Sequence, residues 1–305
     1  IPIVTCYIAS DKNGNTTTLG RNGSNYSAAL LANFLHADEF QNFTHVDGIF
    51  TADPNWVTDA QLIDRLHYTE ASELASFGAN ILHAKTILPL VEKEIPLRIL
   101  NTNKPLGGGT LISANPTSLG IKSLAVQSNV SLLKFEGKGL LGITGIDARI
   151  FRALADKNIN VGLISQGSSE RGVGLVIKST DAETALAALE STFEKEIVNG
   201  DVERIDVNEN IAVISIIGQD LNTFDRSFSA LVKNKVSPLL FSNSISGSQV
   251  SLVITKPQLK RALNVIHGQI FGISKRINLA ILGHGTVGSV LIDQIIENKK
   301  TLKNK

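Results

Sequence analysis

The chain has 305 residues, 43% of them hydrophobic, with 29 basic and 28 acidic side chains and a formal net charge of +1. That length allows two or three domains with sizeable cores, and the balanced charge gives no electrostatic case for nucleic acid or an anionic membrane. No apolar run is long enough to span a bilayer, the single cysteine, Cys6, excludes an internal disulfide and fits a reducing, cytoplasmic setting, and the histidines at 36, 45, 67, 83, 267 and 284 never reach metal-ligand spacing.

Residues 1–115 alternate strand-like and helix-like pieces, which argues an α/β unit. Ile3–Ala9 reads as a strand with Cys6 as a core thiol, and Asp11–Asn15 as a hairpin turn. A helix starts near Ser24 and carries Ser27–His36; Thr69–Phe77 and Ala84–Glu94 are further helices, and Ile95–Leu100 returns to strand. The cluster Leu19-Gly-Arg-Asn-Gly-Ser-Asn-Tyr-Ser27 joins a glycine turn to a helix start. Its N–H groups and Arg21 suit an anion or a carboxylate, and suit equally a capped helix beside a surface arginine. In Thr44–Pro54, Gly48 and Pro54 mark a loop beyond a strand end, where α/β proteins place ligands. Asp47 and Asp53 would there orient a nucleotide or its metal, or do turn and capping work. Asn101–Gly120, rich in Gly, Pro, Asn, Ser and Thr, is the first domain boundary.

Beyond it lies a repeat. Shifted by 77 positions, Phe151–Ile177 overlies Phe228–Ile254 without a gap, with Phe151/Phe228, Ala153/Ala230, Leu154/Leu231, Ser165/Ser242, Val173/Val250 and Leu175/Leu252 among the identities. Each copy runs strand (Val130–Phe135; Ile211–Ile217), helix (Ile146–Lys157; Leu221–Lys233), two strands (Val161–Ser165 and Gly172–Ile177; Leu239–Ser242 and Val250–Ile254) and a second helix (Ala182–Glu194; Gln258–Gly268). This is the ferredoxin-like α+β plan, placed in modules 121–206 and 207–272.

In 276–305, a buried strand, Ile277–Leu282, enters Gly283-His-Gly-Thr-Val-Gly288 and then a helix over Ser289–Ile296. That is the strand–turn–helix setting of a dinucleotide fold, with Gly283 for the turn, Gly285 for close approach to a pyrophosphate and Gly288 for helix packing. The lysines at 299, 300, 303 and 305 read as a solvated helix end. The chain opens inside a strand, contains no Met and stops before a second Rossmann strand, so a segment of a longer protein is expected.

In order along the chain stand G-R-N-G-S (20–24), T-H-V-D-G-I-F-T-A-D-P (44–54), A-S-E-L-A-S-F-G-A-N-I-L-H (71–83), the duplicated module and the Gly283–Gly288 turn. This series resembles the bifunctional aspartokinase–homoserine dehydrogenase family: the C-terminal half of an amino-acid-kinase domain, tandem ACT modules and the first β-turn-α of a Rossmann domain. The resemblance implies phosphoryl transfer from ATP with Mg to L-aspartate, amino-acid feedback through the ACT pair, and NADP- or NAD-linked chemistry in a dehydrogenase.

It also implies site residues. Arg21, with Gly23 and Ser24, would bind aspartate, and Asn25 stands where the family has a catalytic-site Asp. Thr44, Asp47, Phe50, Asp53 and Lys85 would hold the nucleotide. Gln166, Ser168 and Asp147 would serve the effector, threonine being the usual one, though capping of a helix is the stronger reading of Asp147. Gly283, Gly285, Val287 and Gly288 would face the dinucleotide. Asn243 replaces Gln166 in the second copy, so one effector site type is expected. His45, Asn55 and Asn80 depart from the family pattern, as Asn25 does, and Phe50 replaces its tyrosine. A homo-oligomer through the ACT modules is the family expectation. A segment without the kinase lysine motif or the rest of the dehydrogenase should catalyse neither reaction. The rival reading is a non-catalytic amino-acid sensor with a decayed kinase lobe.

Overall fold

The computed structural model describes residues 3–4, 6–20, 23–77, 84–115, 117, 120–138, 144–167, 172–219, 221–245, 247–272, 283 and 285–298. They fall into two compact units, Ile1–Gly272 and Ile273–Lys305.

The chain begins with a hairpin, β1 (Ile8–Ser10) against β2 (Thr16–Thr18). Asp11 makes the turn: its Oδ1 accepts the N–H groups of Asn13 (2.8 Å) and Asn15 (2.9 Å). The strand is shorter than expected, and Cys6 is half-buried with its thiol on Val4 O, so it is no core thiol. Helix α1 (Gly23–Phe34) ends in a Schellman-type reversal, Ala37 N–H on Ala32 O and His36 N–H on Asn33 O, with His36 at φ 50°.

There follow β3 (Phe40–Thr44), β4 (Arg65–His67), α2 (Tyr68–Ser76), α3 (Ala84–Glu92), β5 (Leu97–Asn101) and β6 (Thr110–Ser113). The sheet order is β3-β5-β6-β4, with β3 parallel to β5 and β4 parallel to β6. Ala29, Leu66, Leu74, Ile87, Leu97 and Ile99 form the core between sheet and helices. Pro89 lies inside α3 and its carbonyl takes Asn33 Nδ2–H from α1 at 2.6 Å, which joins the two helices. Strand β6 lies inside the stretch expected to be boundary. Its buried Thr110 explains the position, because Oγ1 accepts Ile49 N–H (2.8 Å) and donates to Ile63 O (2.7 Å).

The rest of the first unit is β7 (Gly120–Gln127), β8 (Val130–Glu136), α4 (Ile146–Ala155), β9 (Leu163–Gln166), β10 (Gly172–Lys178), α5 (Ala182–Thr192), α6 (Glu194–Asn199), β11 (Arg204–Asn208), β12 (Ile211–Gln219), α7 (Leu221–Lys233), β13 (Leu240–Asn243), β14 (Gln249–Thr255) and α8 (Leu259–Phe271). They build two sheets, β11-β8-β10-β9 and β13-β14-β12-β7. The repeat is real at this level: β9/β13 and β10/β14 keep the sequence offset, and the loop before α4 is longer than the one before α7.

The sheet order corrects the expected module limits of 121–206 and 207–272. Strand β7 pairs with β12, in the second sheet, so the first module is inserted between the first and second strands of the other. The pattern-based division missed this because β7 precedes the module to which it does not belong.

Each sheet has one face on its helices. Leu133, Phe135, Ile150, Leu175 and Leu189 fill one core, with Phe135 and Phe193 edge-to-face at 4.6 Å; Ala212, Ile214, Leu231, Leu252 and Ile266 fill the other. The opposite faces meet through Val130, Leu132, Leu163 and Val176 against Ile211, Val213 and Val253. Strands covered on both faces read as nearly continuous apolar runs, as β12 does over Ile211–Ile217, interrupted by Ser215 alone.

The β7–β12 ladder contains a bulge: Ser123 faces Ile217 and Ile121 faces Gly218, which leaves Lys122 as the extra residue. Its ammonium, buried, reaches Glu70 at 3.7 Å. Gly218 has φ 130°, and a Cβ there would stand 2.3 Å from Gly120 O.

In the second unit, α9 (Thr286–Glu297) starts from Gly285 and contains the expected 289–296 helix. Gly283 has φ 102°, and a Cβ on Gly288 would meet its carbonyl at 2.4 Å, so Gly288 packs on the turn. Val287 is exposed. The expected strand 277–282 lies outside the described residues.

Two outcomes follow. Gly218→Ala should lower stability by about 2 kcal/mol or more, because backbone must move at the bulge; urea unfolding of the variant measures it. Burial holds the His267 pKa below its ordinary 6.5, while Asp59 acts the other way. The unfolded chain then protonates at higher pH than the folded one. Stability tied to neutral His267 is complete above about pH 6.5 and is lost as pH falls through the folded value. Urea midpoints between pH 7 and 5 should fall less steeply in His267→Gln than in the unaltered chain.

Candidate functional site

Parallel pairing brings the C-terminal ends of β3 and β5 side by side, Thr44 opposite Asn101. The segments after them, 45–55 and 102–109, leave the same sheet edge, the place where open α/β sheets bind ligands. Between them lies a cavity of about 590 Å³, whose walls include Asp47, Phe50, Asp53, Asn101, Lys104 and Leu124.

Asp47 ties the two segments together. Its Oδ1 accepts Asn101 Nδ2–H at 2.5 Å and its Oδ2 takes the Lys104 ammonium at 2.8 Å. These two donors, Lys104 foremost, hold the carboxyl below the ordinary carboxylate range. Asn101 in turn accepts Asn103 N–H on Oδ1 (2.9 Å), so an Asx turn presents Lys104. Asp53 fixes the next turn, its Oδ1 accepting both Asn55 N–H and Asn55 Nδ2–H at 2.9 Å. Thr44 stands just behind, its carbonyl taking Thr102 N–H at 2.8 Å.

One wall comes from the second module: Ser123, Leu124, Ala125 and Val126 of β7. Ser123 Oγ–H donates to Phe50 O (2.7 Å) and Leu124 N–H to Thr51 O (2.8 Å). Thr51 turns away from the cavity, where its Oγ1 accepts Gln61 N–H (2.9 Å) and lies 2.8 Å from His267 Nε2 on α8.

The structure thus gathers Asp47, Phe50 and Asp53 around one space. Lys85 is exposed on α3, outside the residues lining it. Gly23, Ser24 and Asn25 form the first turn of α1, also outside that lining. Arg21 and Asn80 lie outside the described residues. Sequence reasoning missed Asn101, Lys104, Thr51, His267 and the β7 wall. Asn101 and Lys104 had a faint signal in the Asn-rich turn after a strand end, but their partner is more than fifty positions away; β7 had none.

In the first module, Gln166 ends β9 and Asp147 lies in the first turn of α4. Gln166 Nε2 is 3.3 and 3.4 Å from the Asp147 carboxylate oxygens, long and weak bonds. The N-cap of α4 is Gly145, at φ 89° and without a side-chain cap, so Asp147 is not the cap but an acid in the favourable first turn. Gln166 also edges an open cavity of about 640 Å³ with Lys134, Glu136, Ser165 and, from the second module, Leu240. Gly174 admits Leu240 there, since a Cβ would meet its Cδ1 at 2.8 Å. Ser168 lies outside the described residues. The counterpart Asn243 is exposed at the end of β13.

Among the described residues, no group of three or more His, Cys, Asp and Glu side chains gathers as a metal site, and no helix is long and apolar enough to cross a membrane.

Residues 1–101 match the model of the amino acid kinase family, and residues 133–193 match an ACT domain model. The bifunctional aspartokinase/homoserine dehydrogenase of Haemophilus influenzae is 34% identical over 305 residues, which covers 98% of this chain and 37% of that protein. Lysine-sensitive aspartokinase 3 of Escherichia coli is 39% identical over 220 residues, 71% of this chain and 48% of the relative. The crystal structure of E. coli aspartokinase III with aspartate and ADP (R-state) superposes with a TM-score of 0.73 at 32% identity, covering 87% of this chain and 60% of that one. The chain thus spans little more than a third of its bifunctional relative's length. An amino-acid-kinase sheet built onto a pair of ACT-type sheets, and a match along nearly the whole sequence, make this chain similar to a part of the bifunctional aspartokinase/homoserine dehydrogenases.

Proposed function

We propose that this chain is the nucleotide-holding and regulatory portion of an aspartokinase, with ATP in the cavity beyond β3 and β5 and an amino-acid effector at the first ACT module. The observation that carries the reading is the meeting of Asp47, Phe50 and Asp53 around one cavity at parallel strand ends. Phe50 offers stacking area for a purine, and Lys104 a point charge for polyphosphate. Phosphoryl transfer asks the protein mainly for position and charge neutralisation. Magnesium takes one or two carboxylates and completes its shell from phosphates and water. Asp53 fits that demand, since its turn bonds run through Oδ1; Asp47 fits less well, with both oxygens on protein donors.

L-Aspartate belongs at the start of α1, with Arg21, Gly23, Ser24 and Asn25. The relatives' names supply the second activity, homoserine dehydrogenase, for which Gly283, Gly285, Val287 and Gly288 are the candidate NADP or NAD contacts. Threonine is the candidate effector, a homo-oligomer through the ACT modules the candidate assembly, and the cytoplasm the candidate site of action.

Titrating the chain with MgADP, followed by calorimetry and by the fluorescence of Trp56, the single tryptophan, should show saturable binding. Lys104→Ala should weaken it by about tenfold, the loss of one charge-assisted contact. Nucleotide binding that is absent, beside intact amino-acid binding, would favour the sensor reading.

Titration with threonine, lysine and methionine should give heat from one of them. Gln166→Ala should abolish that heat and Asn243→Ala should leave it, because the weak Gln166–Asp147 contact exchanges readily for a ligand. Silence from all three amino acids would remove the effector proposal.

A further inference from the structure

The wall that carries Asp47, Phe50 and Asp53 lies between β3 and β4, in a stretch without helix or extended strand. Its shape must therefore come from what it touches. Three of its backbone carbonyls accept hydrogen bonds from the second ACT-type module. Phe50 O takes Ser123 Oγ–H (2.7 Å), Thr51 O takes Leu124 N–H (2.8 Å), and Trp56 O takes Asn264 Nδ2–H (3.0 Å).

One side chain joins them from behind. Phe50 and Ala52 line the cavity, whereas Thr51 between them does not. Thr51 is 7% exposed and His267, opposite it on α8, is 1% exposed. The Thr51 hydroxyl already gives one lone pair to Gln61 N–H, and the short approach to Nε2 uses its remaining capacity. The imidazole is held in turn by Phe271, with ring centroids 4.8 Å apart. A buried imidazole nitrogen carries a penalty when unpaired, and this contact relieves it at Nε2. The contact is therefore specific in place and orientation, unlike the apolar packing around it.

We propose that His267 is a positioning residue for the nucleotide cavity: from the second regulatory module it grips Thr51, and through Thr51 it sets the wall formed by residues 45–57. This rests on the reading that the cavity takes nucleotide. Motion of α8 relative to the kinase sheet then changes the cavity through a hydrogen bond of fixed length. A contact between two packed elements can carry coupling of this kind only if breaking it alters the far side.

His267→Phe tests it. Phenylalanine keeps the ring beside Phe271 and removes the bond to Thr51; His267→Gln returns an amide near the place of Nε2. In the full chain, MgADP should bind roughly tenfold more weakly to His267→Phe and within about twofold of normal to His267→Gln. Amide hydrogen exchange over 45–57 should quicken in the first variant and recover in the second. Thr51→Val, which removes the same bond from the other side together with the one from Gln61 N–H, should reproduce the loss if His267→Phe does not fold. Unchanged affinity and unchanged exchange in the phenylalanine and valine variants would overturn the proposal. If the unaltered chain takes no MgADP, the functional reading fails by itself, and the exchange rates alone then decide whether His267 sets the wall.

Discussion

Strand β7 is the constraint on which the first unit depends. It is hydrogen-bonded to β12, which follows it only after the entire first module. It also hands Leu124 to the core of the second module and Ala125 to the core of the kinase sheet. Two hydrophobic cores therefore share adjacent residues of one strand, whose side chains alternate between them. Full burial of a leucine contributes about 1.5–3 kcal/mol, so neither core can let go of β7 cheaply. The bulge at Lys122 follows from the same double duty. An extra residue turns the ammonium to Glu70, which also accepts His67 N–H at the start of α2 and the Thr117 hydroxyl. The buried charge is thus compensated at a helix N-terminus that favours the carboxylate.

The seam around β12 and β14 is not uniformly apolar. On the outer face of the second sheet, Ile211, Val213 and Val253 meet the first module, while Ile217 meets the kinase core. Between these patches sit Ser215, Ser251 and Gln249, all buried. Ser215 Oγ and Ser251 Oγ are 2.8 Å apart, and Gln249 Nε2–H donates to Ser251 Oγ at 2.6 Å. A satisfied polar network costs little in stability but tolerates no slippage, because a one-residue shift would strand each group. It divides one long apolar face into two docking sites of fixed register.

Much of this was legible from the residues. Alternating helix and strand patterns gave the α/β class of the first part, and the repeated Phe-x-Ala-Leu and Val-x-Leu-Val-Ile segments gave the paired ferredoxin-like modules; β9/β13 and β10/β14 keep the offset. Asp47, Phe50 and Asp53 were visible as a loop beyond a strand end. What stayed hidden depended on distance along the chain. The ownership of β7 is decided by a ladder with a strand some ninety residues on, and a local pattern holds no record of it. Lys104 has meaning only opposite Asp47, and His267 only opposite Thr51. Asp147 looked like a cap because its type suits one, yet Gly145 takes that position by its left-handed backbone, and the carboxylate is left to face Gln166.

The geometry of the cavity also bears on how regulation could reach it. Its walls divide by origin: Asp47, Asn101 and Lys104 are locked to each other within the kinase sheet, whereas Phe50 is fastened to β7 through its carbonyl. The phosphate end, if Lys104 marks it, is thus set by residues local to the sheet edge and by an exposed ion pair. Such a pair is worth little and yields readily to a competing anion. The opposite wall takes its shape from uncharged hydrogen bonds to another module, and those do not yield to ligand charge. A shift between sheet and module would therefore alter the Phe50 side first and leave the Asp47–Lys104 side intact. Control exercised through β7 would accordingly act on how well a nucleotide's base is held more than on how its phosphates are charged.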